Sequence, residues 1–139
     1  MNPFGNKKIL FIEDEVMVAQ LWTIYLEKAG YVNIRHAETG LEGLEIAREW
    51  RPELIVSDLK HPGPDGFDVF NELFLDPHTL STRFIMISGC SLSHNPDFDE
   101  KLCTAGVSVY LQKPVTKENL LACVDKVFAD AEKETLKGL

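Results

Sequence analysis

Five side chains suited to metal and phosphoryl chemistry directly follow short, mainly apolar runs of this sequence. They are Glu13 and Asp14 after the run 9–12, Asp58 after 54–57, Ser88 after 84–87, and Lys113 after 109–112. If the four runs are parallel strands of one sheet, their carboxyl ends lie along one edge, where open α/β sheets place their ligands. Three carboxylates, a hydroxyl and an ammonium would then converge on one site.

Such a cluster predicts a divalent cation. Carboxylates held together at neutral pH repel one another, so their site either raises a pKa or binds a cation. Oxygen ligands favour Mg²⁺, or the similar Mn²⁺, and Mg²⁺ commonly leaves positions for phosphate oxygens. Asp58 is then a candidate nucleophile for phosphoryl transfer, with Ser88 and Lys113 as donors to the phosphoryl oxygens. Each residue alone could be a cap, a turn or a solvated charge, but their order at four strand ends favours one site.

The elements that must position these residues predict an α/β fold. Apolar runs of strand length alternate with helical patterns five times, as in crossover units around a parallel sheet. The runs 54–57 and 84–87 are apolar on successive residues, so they are predicted to be central strands covered on both faces. The first helix is predicted to end at Gly30. Its inward face is predicted to comprise Val18, Leu21, Trp22, Tyr25, Leu26 and Ala29.

The second helix has clear predicted ends. Thr39 and Glu42 have the spacing of a capping box, and Pro52 is placed to stop the helix before the strand that leads to Asp58. Its inward residues are predicted to be Leu41, Leu44 and Ala47. The last helix is predicted over about 116–137 and is amphipathic. The loops 61–66 and 89–97 flank the proposed site.

Composition limits the classes of function. With 139 residues, 45% of them hydrophobic, the chain is expected to form one domain (1–139, core about 7–130) without an output domain. It has neither an apolar stretch of membrane-span length nor a secretion signal, so a cytoplasmic location is the default expectation. A net charge of −8 argues against direct binding of nucleic acid. Cys90, Cys103 and Cys123 are expected to be reduced thiols.

Taken together, the motifs resemble the receiver domains of two-component response regulators, over nearly the whole chain. The matching segments are 11–15 with the acidic pair, 58–66 with the phosphoacceptor loop, 85–89 with the hydroxyl residue, and 110–114 with an aromatic residue and the lysine. The resemblance implies a flavodoxin-like, doubly wound α/β fold. Its five parallel strands would have the order 2-1-3-4-5, with five helices.

The resemblance also implies the phosphorylation chemistry. Asp58 would accept a phosphoryl group from a histidine kinase or a histidine phosphotransfer protein, and Lys113 and Ser88 would contact its oxygens. The protein would be a phosphoacceptor switch that catalyses only its own phosphorylation and dephosphorylation, and not a classical enzyme. The metal ligands would be Asp14, Asp58, the backbone carbonyl of Lys60 and, through water, Glu13.

The implied switch would change the surface that the domain offers to a downstream protein target. Ser88 would move toward the phosphoryl group and Tyr110 would turn inward, so that a new charge biases a two-state equilibrium. The peptide bond before Pro114 is predicted to be cis. A homodimer is left open, and no contact with a membrane is expected.

Several positions depart from the family pattern. Lys60 places a positive side chain at the position of the metal-binding carbonyl, so the lifetime of the acyl phosphate does not follow from the resemblance. His61 stands where relatives commonly have Met, and a lone His in a turn is expected to be solvated. The stretch 89–106 is longer than in many relatives, which predicts a short or irregular helix there.

Three other classes of function compete with the receiver. A receiver-like binding module would signal without phosphorylation, but it would not need the full set of site residues. A phosphohydrolase would need a general acid or base near Asp58, and the residue two positions on is Lys60. A flavin or nucleotide binder would need glycines after the first strand, where this chain has the acidic run 13–15.

Overall fold

The computed structural model describes residues 2–61, 63–88 and 109–137, with the side chains of 109–110 and 134–137 left undescribed. The helix predicted between the fourth and fifth strands, and with it Cys90 and Cys103, lies outside these residues. In chain order the elements are β1 (Lys8–Ile12), α1 (Val16–Lys28), β2 (Asn33–Ala37), α2 (Gly40–Trp50), β3 (Leu54–Asp58), α3 (Gly66–Phe74), β4 (Arg83–Ser88), β5 (Val109–Gln112) and α4 (Lys117–Lys137).

The five strands form one parallel sheet in the order β2-β1-β3-β4-β5. This confirms the predicted flavodoxin-like α/β fold. The strand order reverses at β1, so a switch point opens between the carboxyl ends of β1 and β3. The register there pairs Ile12 with Ser57, and on the other side of β3 it pairs Asp58 with Ile87.

The strands are apolar on successive residues because helices cover both faces of the sheet. Along β1, Ile9 and Phe11 pack with α1 and α4, whereas Leu10 and Ile12 pack with α2 and α3. Every residue of β3 is buried. Burying each large side chain contributes about 1.5–3 kcal/mol, so the strand that ends in Asp58 is firmly anchored.

The helix ends largely follow the predicted signals. Gly30 has a φ of +97° directly after the C-cap of α1. The Thr39 hydroxyl accepts the N–H of Glu42 at 3.1 Å and caps α2. The box is not reciprocal, however, because the Glu42 carboxylate accepts the N–H of Glu38 instead, at 3.3 Å. A full capping box is present at α3, between Asp65 and Asp68.

Two residues assigned to inward helix faces are in fact exposed. Leu21 on α1 is 45% exposed, and Ala19 takes a buried position beside Trp22. Leu41 on α2 is 58% exposed, because α2 approaches the sheet through glycine. A Cβ on Gly43 would collide with the Ile12 side chain, so the close contact needs a residue without one. The remaining inward assignments for α2, Leu44 and Ala47, are confirmed.

Residues 2–6 pack against the edge of the sheet opposite to the site. The Asn2 side-chain amide donates to the carbonyl of Ala29 at 2.9 Å and accepts the N–H of Phe4 at 2.8 Å. The Phe4 ring lies 5.8 Å from that of Phe128 in α4, which also contacts Tyr31. The Tyr31 hydroxyl donates to the carboxylate of Asp125 in α4.

The last helix, α4, extends over nearly the predicted range. It buries Leu120, Val124, Val127 and Phe128 along one face, as its amphipathic pattern predicted. Cys123 on this helix is half-buried and forms no disulfide with any described residue. Within the described part of the chain, no helix combines the length and apolar character needed to cross a membrane.

Candidate functional site

The acidic pair lies directly beyond β1, at the carboxyl edge of the sheet. The Glu13 N–H donates to the carbonyl of Ala37 in β2 at 3.0 Å, and the Glu13 carbonyl lies 2.7 Å from Nε2 of His36. Backbone pairing with β2 therefore continues one residue past the strand and fixes where the pair begins. The Glu13 side chain is fully buried, whereas Asp14 is exposed.

Asp58 ends β3 and forms an ion pair with Lys113, which follows β5. The Lys113 Nζ donates to Asp58 Oδ2 at 3.0 Å, and the aspartate is only 6% exposed. The Lys113 N–H donates to the carbonyl of Ser88 at 2.8 Å, so β4 holds the backbone of the lysine. The peptide bond between Lys113 and Pro114 is cis, which is the predicted geometry.

Glu13, Asp14 and Asp58 together form an acidic cluster. One carboxylate oxygen from each lies within 4.8 Å of the other two. Burial raises the pKa of Glu13 to about 7; the negative charge of Asp58 adds to this, while the N–H of Glu15 lowers it by donating to Oε1 at 3.1 Å. The other carboxylate oxygen, Glu13 Oε2, is buried and has no hydrogen-bond partner among the residues that the structure describes.

These observations fit a hard divalent cation. A buried carboxylate oxygen that lacks a donor is costly unless a proton or a cation reaches it. The cluster offers oxygen ligands only, which suits Mg²⁺ or Mn²⁺. Charge neutralisation by such an ion would lower the pKa of Glu13 again.

Lys113 supplies a positive charge beside Asp58. Partial burial lowers the pKa of the lysine, but the hydrogen bond and charge of Asp58 outweigh this, and the charges of Glu13 and Glu15 act in the same direction. The pKa is therefore raised above its ordinary value. The lysine remains a cation at neutral pH and stays available to an incoming anion.

The remaining predicted residues lie around the same edge. Ser88 is the last residue of β4 and is 2% exposed. Lys60 follows β3 by two residues and its side chain is exposed. Tyr110 lies in β5 opposite Met86, and its side chain is outside the described residues, so the proposed switch position of that ring stays a prediction.

His61 is the residue whose placement the sequence did not predict. It is 8% exposed and not solvated, and its Nε2 lies 3.1 Å from the hydroxyl of Ser57. The Ser57 hydroxyl also donates to the backbone carbonyl of Asp58 at 2.8 Å. A serine four residues before a histidine was the only available signal, and it is not specific.

Curated relatives match nearly the full length of the chain. The polar-differentiation response regulator DivK of Brucella anthropi is 27% identical over 125 residues, which covers 90% of this chain and 98% of DivK. The corresponding protein of Brucella ovis is 26% identical over 126 residues, covering 91% and 99% of the two chains.

Solved structures agree in fold. A CheY-like response regulator receiver domain from Methanospirillum hungatei superposes with a TM-score of 0.82 at 25% identity, covering 93% of this chain and 98% of that one. The receiver domain of a LuxO repressor protein from Vibrio parahaemolyticus gives 0.81 at 27% identity, covering 94% and 96%.

The family model described as the response regulator receiver domain matches residues 9–125. This range contains every residue of the acidic cluster and the ion pair of Asp58 with Lys113. It also contains the five strands that position them, except Lys8 at the start of β1. The chain belongs to the family of response regulator receiver domains.

Proposed function

We propose that Asp58 is the phosphoacceptor of this receiver and that a histidine kinase or a histidine phosphotransfer protein is its donor. The observation that carries the proposal is that Asp58 contacts a cation and also belongs to an acidic cluster. Lys113 Nζ lies 3.0 Å from Asp58 Oδ2, and one carboxylate oxygen of each of Glu13, Asp14 and Asp58 lies within 4.8 Å of the other two. Such a carboxylate has the surroundings that phosphoryl transfer needs, namely position and neutralising charge.

The reaction is an in-line displacement. A carboxylate oxygen of Asp58 forms a bond to phosphorus, the bond from phosphorus to the donor's imidazole nitrogen breaks, and its electron pair returns to the imidazole. Lys113 is within reach of the phosphoryl oxygens because it already contacts the acceptor. Ser88, buried at the end of the neighbouring strand, is the proposed second donor.

A divalent cation would be held by Asp14, Asp58, the Lys60 carbonyl and, through water, Glu13. When bound, it would neutralise charge that develops on the phosphoryl oxygens. The chain's own contribution is to orient Asp58 and to place a positive charge beside it, through the ion pair with Lys113. Because β3 is buried along its length, the acceptor cannot move far from this position.

We further propose that phosphorylation biases a two-state switch. The new charge would draw the Ser88 hydroxyl toward it and would favour an inward position of the Tyr110 ring, which would change the surface near β5 that a downstream protein target contacts. The only chemistry expected of the domain itself is its phosphorylation and the later hydrolysis of the acyl phosphate.

The test is intact-protein mass after incubation with acetyl phosphate, with Mg²⁺ or with EDTA. We expect one base-labile phosphoryl adduct that needs Mg²⁺ and is lost in Asp58→Asn. The matched control is Asp130→Asn, on the exposed side of α4, which should be phosphorylated like the wild type. If neither acetyl phosphate nor a phosphorylated histidine protein gave an adduct, the result would favour a binding module that signals without phosphorylation.

A further inference from the structure

His61 is held against α2 by close packing. A Cβ on Gly40, the first residue of α2, would lie 2.9 Å from the His61 Cε1 atom and would also collide with the carbonyl of Pro64. The residue as a whole is only 8% exposed. The loop after β3 therefore contacts α2 through a side chain that has little room to turn.

The imidazole connects to the phosphoacceptor through Ser57. The Ser57 hydroxyl donates to the Asp58 carbonyl at 2.8 Å, so its oxygen is left to accept a hydrogen bond. The imidazole Nε2 lies 3.1 Å from that oxygen and is the donor in this assignment. Two successive hydrogen bonds thus join the loop side chain to the backbone of Asp58.

The same segment is fixed at its centre by the backbone. The Leu59 N–H donates to the carbonyl of Ile87 in β4, and the Leu59 carbonyl accepts the N–H of Gly66, each at 2.7 Å. Lys60 therefore lies between two residues that are held, Leu59 by backbone hydrogen bonds and His61 by its side chain. If His61 were released, one of these two anchors would be lost.

We propose that His61 is a positioning residue, which acts through Ser57 to fix the backbone of Asp58 and of Lys60 for binding a divalent cation and a phosphoryl group. The proposal rests on the function proposed above. Replacing a residue that orients a metal ligand through a hydrogen bond typically lowers metal affinity or activity by about 10–100-fold. Because His61 acts on Asp58 through Ser57 and does not contact the carboxylate itself, we expect a change at the lower end of this range.

The experiment compares His61→Met, which keeps the volume but lacks the donor, with His61→Gln, whose amide nitrogen can reach the same hydroxyl. Mg²⁺ affinity is measured by calorimetry, the phosphorylation rate with acetyl phosphate, and the free energy of unfolding in EDTA. His61→Met should weaken Mg²⁺ binding and slow phosphorylation about 10-fold, and His61→Gln should restore both to within about threefold of the wild type.

Ser57→Ala breaks the same connection from its other end and leaves the imidazole in place, so the test does not depend on the folding of His61→Met. Combining Ser57→Ala with His61→Met should weaken Mg²⁺ binding no further than either change alone, because both remove one connection. The control is Thr79→Val, which removes a buried hydroxyl that donates to the Leu73 carbonyl at 2.7 Å, away from the site. It should lower stability without changing Mg²⁺ affinity.

Three results would overturn the proposal: wild-type Mg²⁺ affinity in both His61→Met and Ser57→Ala, equal losses in His61→Met and His61→Gln, or a matching loss of Mg²⁺ affinity in Thr79→Val. Failure of the proposed function looks different, because the wild type itself would then form no adduct. The calorimetric comparison of the variants would still decide the role of His61.

Discussion

Replacing Glu13 by Gln should stabilise the metal-free protein, and by an amount that depends on pH. The carboxyl is fully buried, and within the described part of the chain one of its oxygens lacks a hydrogen-bond partner. A glutamine keeps the shape, can still accept the N–H of Glu15, and carries no charge to desolvate. It also removes the repulsion between Glu13 and the neighbouring Asp58.

The size of the effect follows from the two pKa values of the wild-type residue. The pKa of Glu13 is about 7 in the folded protein, against an ordinary value of 4.5. Below pH 4.5 both states hold the proton and stability is unaffected. Between pH 4.5 and 7 the unfolded chain loses its proton while the folded chain keeps it, so stability falls as pH rises. Above pH 7 both states have lost the proton, and the buried charge lowers the free energy of unfolding by its full amount, about 3 kcal/mol.

The assay is urea unfolding in EDTA at pH 5 and pH 8. The free energy of unfolding of Glu13→Gln should exceed that of the wild type by about 3 kcal/mol at pH 8 and by less than about 1 kcal/mol at pH 5. Glu45→Gln, at an exposed position of α2, is the control and should change stability little at either pH. Saturating Mg²⁺ should reduce the advantage of Glu13→Gln at pH 8, since the cation stabilises the ionised carboxylate.

An equal gain in stability at both pH values would refute this reasoning, because a gain from packing or hydrogen bonding does not depend on the ionisation of the wild-type residue. A loss of stability at pH 8 would also refute it. In that case the buried carboxylate would have to be compensated in the folded protein without a metal.

Three other predictions concern single contacts. Lys113→Met should slow phosphorylation by acetyl phosphate about 100-fold, because the cation beside Asp58 is lost; a rate within a factor of about three of the wild type would contradict this role. Gly40→Ala should lower the free energy of unfolding in urea by about 1–3 kcal/mol, because the alanine Cβ would collide with the Pro64 carbonyl. An unchanged unfolding midpoint would show that the loop can move away without cost. Thr39→Ala should cost about 1 kcal/mol through loss of the α2 cap, whereas Thr39→Ser should restore most of it.

The positions of Asp58 and Lys113 could be predicted from sequence because parallel strands leave little freedom. Once strands of this length share one sheet, residues that follow them must lie at one edge. The ion pair between Asp58 and Lys113 bridges 55 positions of sequence for this reason. Helix ends were predictable on local grounds, such as the left-handed glycine at Gly30, whereas the strand order followed only from the resemblance to receiver domains.

Burial within the site could not be predicted in the same way. Glu13 and Asp14 are adjacent carboxylates, yet Glu13 is fully buried and Asp14 is exposed, because the chain turns out of the sheet between them. His61 is buried because Gly40 brings α2 close to the loop, and a contact between two distant segments has no local signature. Leu41 is exposed for a related reason, since Gly43 takes the position of α2 that meets Ile12 of the sheet.

The packing of residues 2–6 affects how the domain should be trimmed for experiments. The family model begins at residue 9, so a boundary drawn from it would remove Asn2 and Phe4. Such a truncation would leave the Ala29 carbonyl at the end of α1 without its side-chain donor and would uncover the ring of Phe128. A shortened protein would carry a new apolar patch at the edge opposite the site. Self-association of that protein would then be caused by the truncation and would not be a property of the full chain.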